Sequence, residues 1–283
     1  MAVNDVTCPY CKSQAFRYHD SDTEMFLCHD CQRNTTWDKA EKYGIRRNGS
    51  RSSDSSILIK PTIRGISLIP RCTVLTDLES EHRCIDFVRS RGIPSDFYHD
   101  LFYTESFGSL VSPFGYEFKD GPPKLIIPFR DRDGEIFGLQ ARALDDSMPK
   151  YVTCMFRDDA DKIFGLDRWN KEKTTIVTEG PIDSFFLKNS LAMAGSDLAQ
   201  NKYLEPNKDI TICLDNEPRN AVIVSKYEKF IKNGNSIVVW PDYVKEKDIN
   251  DMVLAGYNPQ EIIENNTFSG LSAKIKLNNW KKV

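Results

Sequence analysis

The sequence predicts an α/β protein: a parallel α/β sheet in the second half of the chain, a mixed α+β segment ahead of it, and a small cysteine-bearing ribbon at the N-terminus. Three observations carry this. From residue 174 to 240 short apolar runs alternate with amphipathic stretches, the rhythm of a parallel sheet with crossover helices. From 124 to 144 two β-rich runs flank a turn signal. Within the first 31 residues two C-x-x-C pairs repeat at matched spacing.

The ribbon comes first. Cys8, Cys11, Cys28 and Cys31 form the pattern C-x2-C-x16-C-x2-C, in which each C-x-x-C turn aims two thiolates at one tetrahedral ion. Two such turns complete a closed four-thiolate shell, so the expectation is one structural Zn2+ that folds the module and performs no chemistry. Disulfide pairing is the competing reading, but it suits small secreted domains, and the chain is expected to carry no secretion signal. His19 and His29 lie nearby, and the two matched pairs make them unnecessary as ligands. Cys72, Cys84, Cys154 and Cys213 lack any metal-ligand spacing, and Cys213 sits in an apolar run, where a thiol packs as a small hydrophobe.

Residues 46–56, "RRNGSRSSDSS", contain no apolar side chain and are expected to form a flexible tether. The stretch 79–93 carries a helical pattern stopped at Gly92, and a second short helix is expected from Ser95. "KLIIPFRDRDGEIFGLQARAL", 124–144, reads as a β-hairpin with Asp133-Gly134 in its turn. Strands are then expected at 174–178, 191–195, 209–214 and 236–240, with helices at 181–189 and 219–233.

Ligands of an open α/β sheet gather outside the carboxyl ends of its strands. The acids stand at those ends: Glu179 directly after the first strand, Asp215 and Glu217 after "ICL", and Asp242, Asp248 and Asp251 after "VVW". Gly180 permits close backbone approach beside Glu179. Carboxylates gathered from three strand ends repel one another unless cations sit among them, and Mg2+ suits such hard oxygen ligands and shares them with substrate phosphates. Each single acid also has a plainer reading as a helix N-cap or first-turn charge, and for Asp183 and Asp251 that reading stands beside the metal one.

With 283 residues, 40% hydrophobic and 28% charged, the chain has room for two or three domains and the composition of a soluble protein. A formal net charge of -3 excludes a uniformly basic nucleic-acid coat, yet residues 44–72 hold six Lys/Arg against one acid, and 271–283 four lysines against none. No apolar run of 18 residues occurs, so no membrane span is expected and the location is expected to be cytoplasmic.

"IVTEGPIDSFFL", "ICLDNEPRN" and "KDINDMVLAG" together resemble the Toprim domain of bacterial-type primases, topoisomerases and some nucleases. Upstream, "CIDFVRSRGI", "LIIPFRDRDGEIFGLQAR", "PKYV" and "KIFGLDRW" are similar, in the same order, to the core of the DnaG-type primases, and the zinc ribbon completes their layout. The runs "DNEPRN" and "KDIND" look most like the primases of T-even-like bacteriophages. The resemblance spans residues 1 to about 256. It implies a zinc ribbon over 1–43, a flexible basic linker over 44–66, a basic N-terminal subdomain over 67–172, a Toprim catalytic domain over 173–256 and a lysine-rich C-terminal tail over 257–283.

The resemblance further implies a DNA-directed RNA polymerase of the primase type, making short RNA primers on single-stranded DNA from ribonucleoside triphosphates by two-metal nucleotidyl transfer. Glu179, Asp215 and Glu217 would be catalytic and, with Asp248, hold one or two Mg2+. Glu217 stands where the usual motif has aspartate. Arg130, Arg142, Lys150, Gly180 and Asp183 would face nucleotide or template. No G-x-x-x-x-G-K-[ST] loop occurs, so a replicative helicase is expected as a separate chain. The alternatives are a Toprim nuclease and a zinc/Toprim DNA clamp of the recombination-mediator type, which lacks the "IPFRDRDG" and "PKY" block.

Overall fold

A computed structural model describes residues 16–20, 25–28, 34–36, 72–157, 160, 162–194 and 209–283, with backbone alone for the first three stretches. The chain divides into two compact units, Met1–Thr62 and Ile63–Val283. The first unit contains an antiparallel sheet of β1 (Phe16–Asp20), β2 (Met25–Cys28) and β3 (Asn34–Thr36), in the order β1-β2-β3. Cys28 ends β2 opposite Phe16. Cys8, Cys11 and Cys31, and the whole linker over 44–66, lie outside the described residues.

The second unit opens with β4 (Thr73–Val74), α1 (Arg83–Ser90), a 3-10 segment (Ser95–Asp100), β5 (Phe102–Thr104) and α2 (Phe107–Val111). The His82 ring accepts from the Cys84 amide at 3.2 Å and caps α1, whose apolar face buries Cys84, Ile85 and Val88. Gly92, at φ 65°, ends it in the left-handed conformation glycine allows. The hairpin follows as β6 (Lys124–Arg130) and β7 (Ile136–Ala143), with Gly134 at φ 81° in the turn. A further strand, β8 (Tyr151–Met155), pairs antiparallel with β7. Its alternation is masked in the sequence because its outward positions are only half exposed. The sheet runs β4-β5-β6-β7-β8.

The second sheet is formed by β9 (Thr175–Thr178), β10 (Ser190–Ala192), β11 (Ile210–Ile212) and β12 (Ser236–Val238), all parallel, with β10 at one edge beside β9. Between β9 and β10 the helix expected over 181–189 is a single turn, α3 (Pro181–Ser184). The chain then runs through tight turns to Asn189, which takes a φ of 44° and donates its side-chain amide to the carbonyls of Asn170, Lys173 and Thr174 at 2.8 to 3.1 Å. Helix α4 (Ala221–Lys232), capped by Asn220, and α5 (Ile249–Leu254), capped by Asp248, flank β12 in sequence.

Residues 257–283, expected as a tail, are instead folded onto this sheet. Helix α6 (Pro259–Asn265) leads to β13 (Thr267–Phe268), which pairs antiparallel with β12, and α7 (Gly270–Trp280) buries Ala273, Leu277 and Trp280. Three apolar residues at helical spacing outweigh the lysines, which stay outward. The two sheets share one core: Phe129 of β6 meets Phe164 at 5.7 Å between ring centres, and Phe164 meets Phe185 at 5.5 Å. Among the described residues no helix is long and apolar enough to cross a membrane.

Candidate active site

β9 ends at Thr178, so Glu179 leaves the sheet at its carboxyl edge, and α3 then turns Asp183 back toward the same edge. β11 leaves the ladder after Ile212, yet Leu214 is pinned: its amide donates to the Tyr227 hydroxyl at 3.0 Å and its carbonyl accepts from the Trp240 indole at 2.8 Å. Both anchors are buried. They aim the next residue, Asp215, at the neighbouring strand ends. Asp248 closes the set as the cap of α5, with one oxygen accepting from the Asp251 amide at 2.8 Å. Glu179, Asp183, Asp215 and Asp248 line one narrow cleft with Thr178 and Trp240.

The electrostatics are those of crowded carboxylates. Burial raises Asp183 well above the ordinary range, and Asp248, Asp215 and Glu179 raise it further against one Asn250 amide bond at 3.1 Å. Burial, then the field of Glu179, pushes Asp215 up to about 7, with Lys247 opposing. Two lysines partly offset this charge. Lys226 Nζ lies 2.6 Å from Glu179, and Lys247 Nζ lies 3.8 Å from Asp215 and 3.5 Å from Glu217. Glu217 thus stands at the rim, reached through Lys247, and is not among the side chains lining the cleft.

A third residue supports the acidic loop. Asn216 donates to the carbonyls of Val244 and Glu246, each at 3.1 Å, and accepts from the Trp280 indole at 3.2 Å. The C-terminal helix therefore braces the loop that carries Asp215.

The upstream sheet has a basic face of its own around Arg142 and Lys150. Arg142 on β7 is 4% exposed, with its guanidinium over the rings of Tyr151 at 4.7 Å and Phe87 at 5.7 Å. One terminal nitrogen reaches the Lys150 carbonyl at 3.4 Å, and its Nε has no hydrogen-bond partner among the described residues. Burial raises the Tyr151 hydroxyl above its ordinary value, Arg142 and Arg91 lower it, and Asp183 and Asp248 raise it further. Lys150 is half exposed and pairs with Asp146 at 3.5 Å. Arg130 is not part of this face. It bonds the Gly134 carbonyl in the hairpin turn and approaches Asp100 at 4.0 Å, and five residues of strand, roughly 17 Å, separate it from Arg142.

Sequence reasoning overlooked Arg91, Asn250, Lys226 and Lys247. Asn250 is 3% exposed; its side chain accepts from Arg91 at 3.2 Å and donates to the Arg91 carbonyl, while its backbone amide holds Asp183. Its position after the capping Asp248 was the available signal, because a polar residue on a helix's first buried turn needs a partner. The lysines carried no signal, since a surface lysine reads as solvated charge.

The donor chemistry of the cleft, hard carboxylate oxygens on a rigid sheet edge, fits Mg2+. Among the described residues, however, no three His, Cys, Asp or Glu side chains stand arranged as a finished metal site.

No protein-family model matches the chain. It is 34% identical over 234 residues to the DNA primase of Enterobacteria phage T4, an alignment covering 79% of this chain and 68% of that protein. Among solved structures, the zinc-binding and RNA polymerase domains of the Aquifex aeolicus primase superpose with a TM-score of 0.52 at 19% identity, over 93% of this chain and 79% of that one. A DnaG primase catalytic domain bound to single-stranded DNA gives a TM-score of 0.56 at 14% identity, over 74% and 78% of the two chains. The structural likenesses show the shared fold, and the identity to the phage protein shows the family: this chain belongs to the DNA primases.

Proposed function

We propose that the chain makes RNA primers on single-stranded DNA, joining the 3′-hydroxyl of the growing RNA to the α-phosphorus of a ribonucleoside triphosphate with release of pyrophosphate. The observation that supports this best is the meeting of four acids from three strand ends in one cleft, with a buried, under-bonded arginine on the sheet that shares their core. A polymerase needs both: oxygen ligands for cations at the reacting phosphorus and a cation for the polyphosphate.

Glu179, Asp183, Asp215 and Asp248 are the residues that would hold Mg2+, with Glu217 at the rim. When bound there, the ion neutralises charge gathering on the phosphates. The protein's own groups position the reactants. Arg142 keeps its donors in a nearly dry site, where a planar fork suits two phosphate oxygens. Lys150, half exposed, meets charge at the entrance. Gly180 has an extended backbone, φ -118°, that any residue adopts, and an added Cβ would meet nothing nearer than Asp183 at 3.4 Å. The fold itself does not require glycine there, which supports space kept for a ligand. Arg130, away from the opening, is assigned to template contact outside the cleft.

Cys8, Cys11, Cys28 and Cys31 would hold one Zn2+; the spacing supports this, and the Aquifex aeolicus primase is described by its zinc-binding domain. A replicative helicase, as a separate chain, would supply unwinding. The test is incorporation of labelled ribonucleotides on single-stranded DNA of varied sequence with Mg2+. Short RNA products that vanish in Glu179→Gln are expected. Folded wild-type protein that binds duplex DNA tightly and incorporates nothing, with helicase supplied, would favour a DNA clamp.

A further inference from the structure

The cleft is neutralised unevenly. Lys226 engages Glu179 at 2.6 Å and Lys247 reaches Asp215 and Glu217, whereas Asp183 and Asp248 form no ion pair among the described residues. The backbone beneath Lys226 is anchored, because the next residue, Tyr227, is fully buried and bonded to Leu214. Its side chain, by contrast, is 43% exposed and carries the ammonium at the end of a flexible stem. A side chain with a fixed root and a wet, mobile head can be displaced without disturbing the fold.

We propose that Lys226 is an internal counter-ion that competes with divalent cations for Glu179, so that this lysine sets how much Mg2+ the enzyme needs. The ammonium and a divalent ion cannot share that carboxylate at close range, since each makes the other's approach repulsive. In the ion-free protein Lys226 relieves the mutual repulsion of the acids, and on loading it swings outward to solvent. Lys226 is thus a positioning residue: it holds Glu179 in place between loadings and releases it. The inference rests on the reading of the cleft as a divalent-cation site.

The test follows free Mn2+ by electron paramagnetic resonance, titrated into the zinc-loaded full chain without nucleotides. Lys226→Met should bind Mn2+ roughly tenfold more tightly than wild type, a partly exposed close-range charge being worth about that factor. Lys226→Arg, which keeps the charge, should bind as wild type does. Lys232→Met, on the exposed last turn of the same helix, removes the same net charge away from the acids and should change affinity less than twofold. The Mg2+ concentration for half-maximal primer synthesis should fall in step in Lys226→Met alone. Unchanged or weaker Mn2+ binding in both Lys226→Met and Lys226→Gln, with wild-type binding still abolished by Asp215→Asn, would overturn the role of Lys226 and leave the cleft assignment standing. Wild-type Mn2+ binding indifferent to Asp215→Asn would overturn both.

Discussion

Asp215→Asn should make the metal-free protein more stable at neutral pH while ending its activity. The native state holds a proton on Asp215 up to about pH 7, against an ordinary value of 3.8. The folded form therefore binds that proton more tightly than the unfolded chain does. Stability is lost as pH climbs from about 3.8 to about 7 and is constant above, where neither state holds the proton. At about 1.4 kcal/mol per pH unit the gap corresponds to roughly 4 kcal/mol. The carboxylate side chain keeps 23% of its surface in water and Lys247 lies beside it, so about 2 kcal/mol is the expected yield. Asparagine fills the same space, and Lys247 retains Glu217 at 3.5 Å, so no cation is orphaned.

The assay is thermal unfolding of both proteins in divalent-free buffer from pH 4 to 8. The advantage of Asp215→Asn should be small at pH 4 and grow to about 4–8 °C in Tm by pH 7. Mg2+ should then stabilise wild type and leave the variant unmoved. A difference that does not grow between pH 4 and 7, or a variant less stable throughout, would refute the account of Asp215 as a carboxylate strained by its neighbours.

Asn250→Ala removes both side-chain bonds to Arg91 and should cost about 2 kcal/mol in chemical unfolding; a loss under about 0.5 kcal/mol would show that this buried amide is dispensable. Gly108→Ala places a Cβ 2.1 Å from the Phe118 carbonyl oxygen, so the backbone must move, and the same measurement should register roughly 1–3 kcal/mol or more. Arg142→Lys keeps the charge and loses the planar fork, so the KM for ribonucleoside triphosphate should rise about tenfold, and an unaltered nucleotide dependence would count against Arg142 as the polyphosphate contact.

The strand ends carrying Glu179 and Asp215 were legible because a buried parallel strand is a short apolar run, and an acid directly after it can only lie at the sheet's carboxyl edge. The hairpin over 124–144 was legible for a related reason, its turn being written in Asp133-Gly134 and its strands in β-branched and aromatic residues. Those are local signals, set by backbone sterics and by the period of burial. The family resemblance added Arg142, whose sequence surroundings alone would have left it as a surface charge, and singled out Asp248 from the acids after the last parallel strand.

What the sequence by itself determined, then, was the α/β class, the acids at the sheet edge and the ribbon spacing. The tertiary structure decided which charges meet. Arg130 and Arg142 share one hairpin, yet strand length holds them apart, while Lys226, 47 residues from Glu179, sits against it because α4 packs beside that strand end. The lysines of the last segment counted for less than Ala273, Leu277 and Trp280, whose burial folds residues 257–283 against the sheet and sets Trp280 on Asn216. Contacts of this kind depend on which elements lie side by side, a property of the packed core and of no single stretch of sequence.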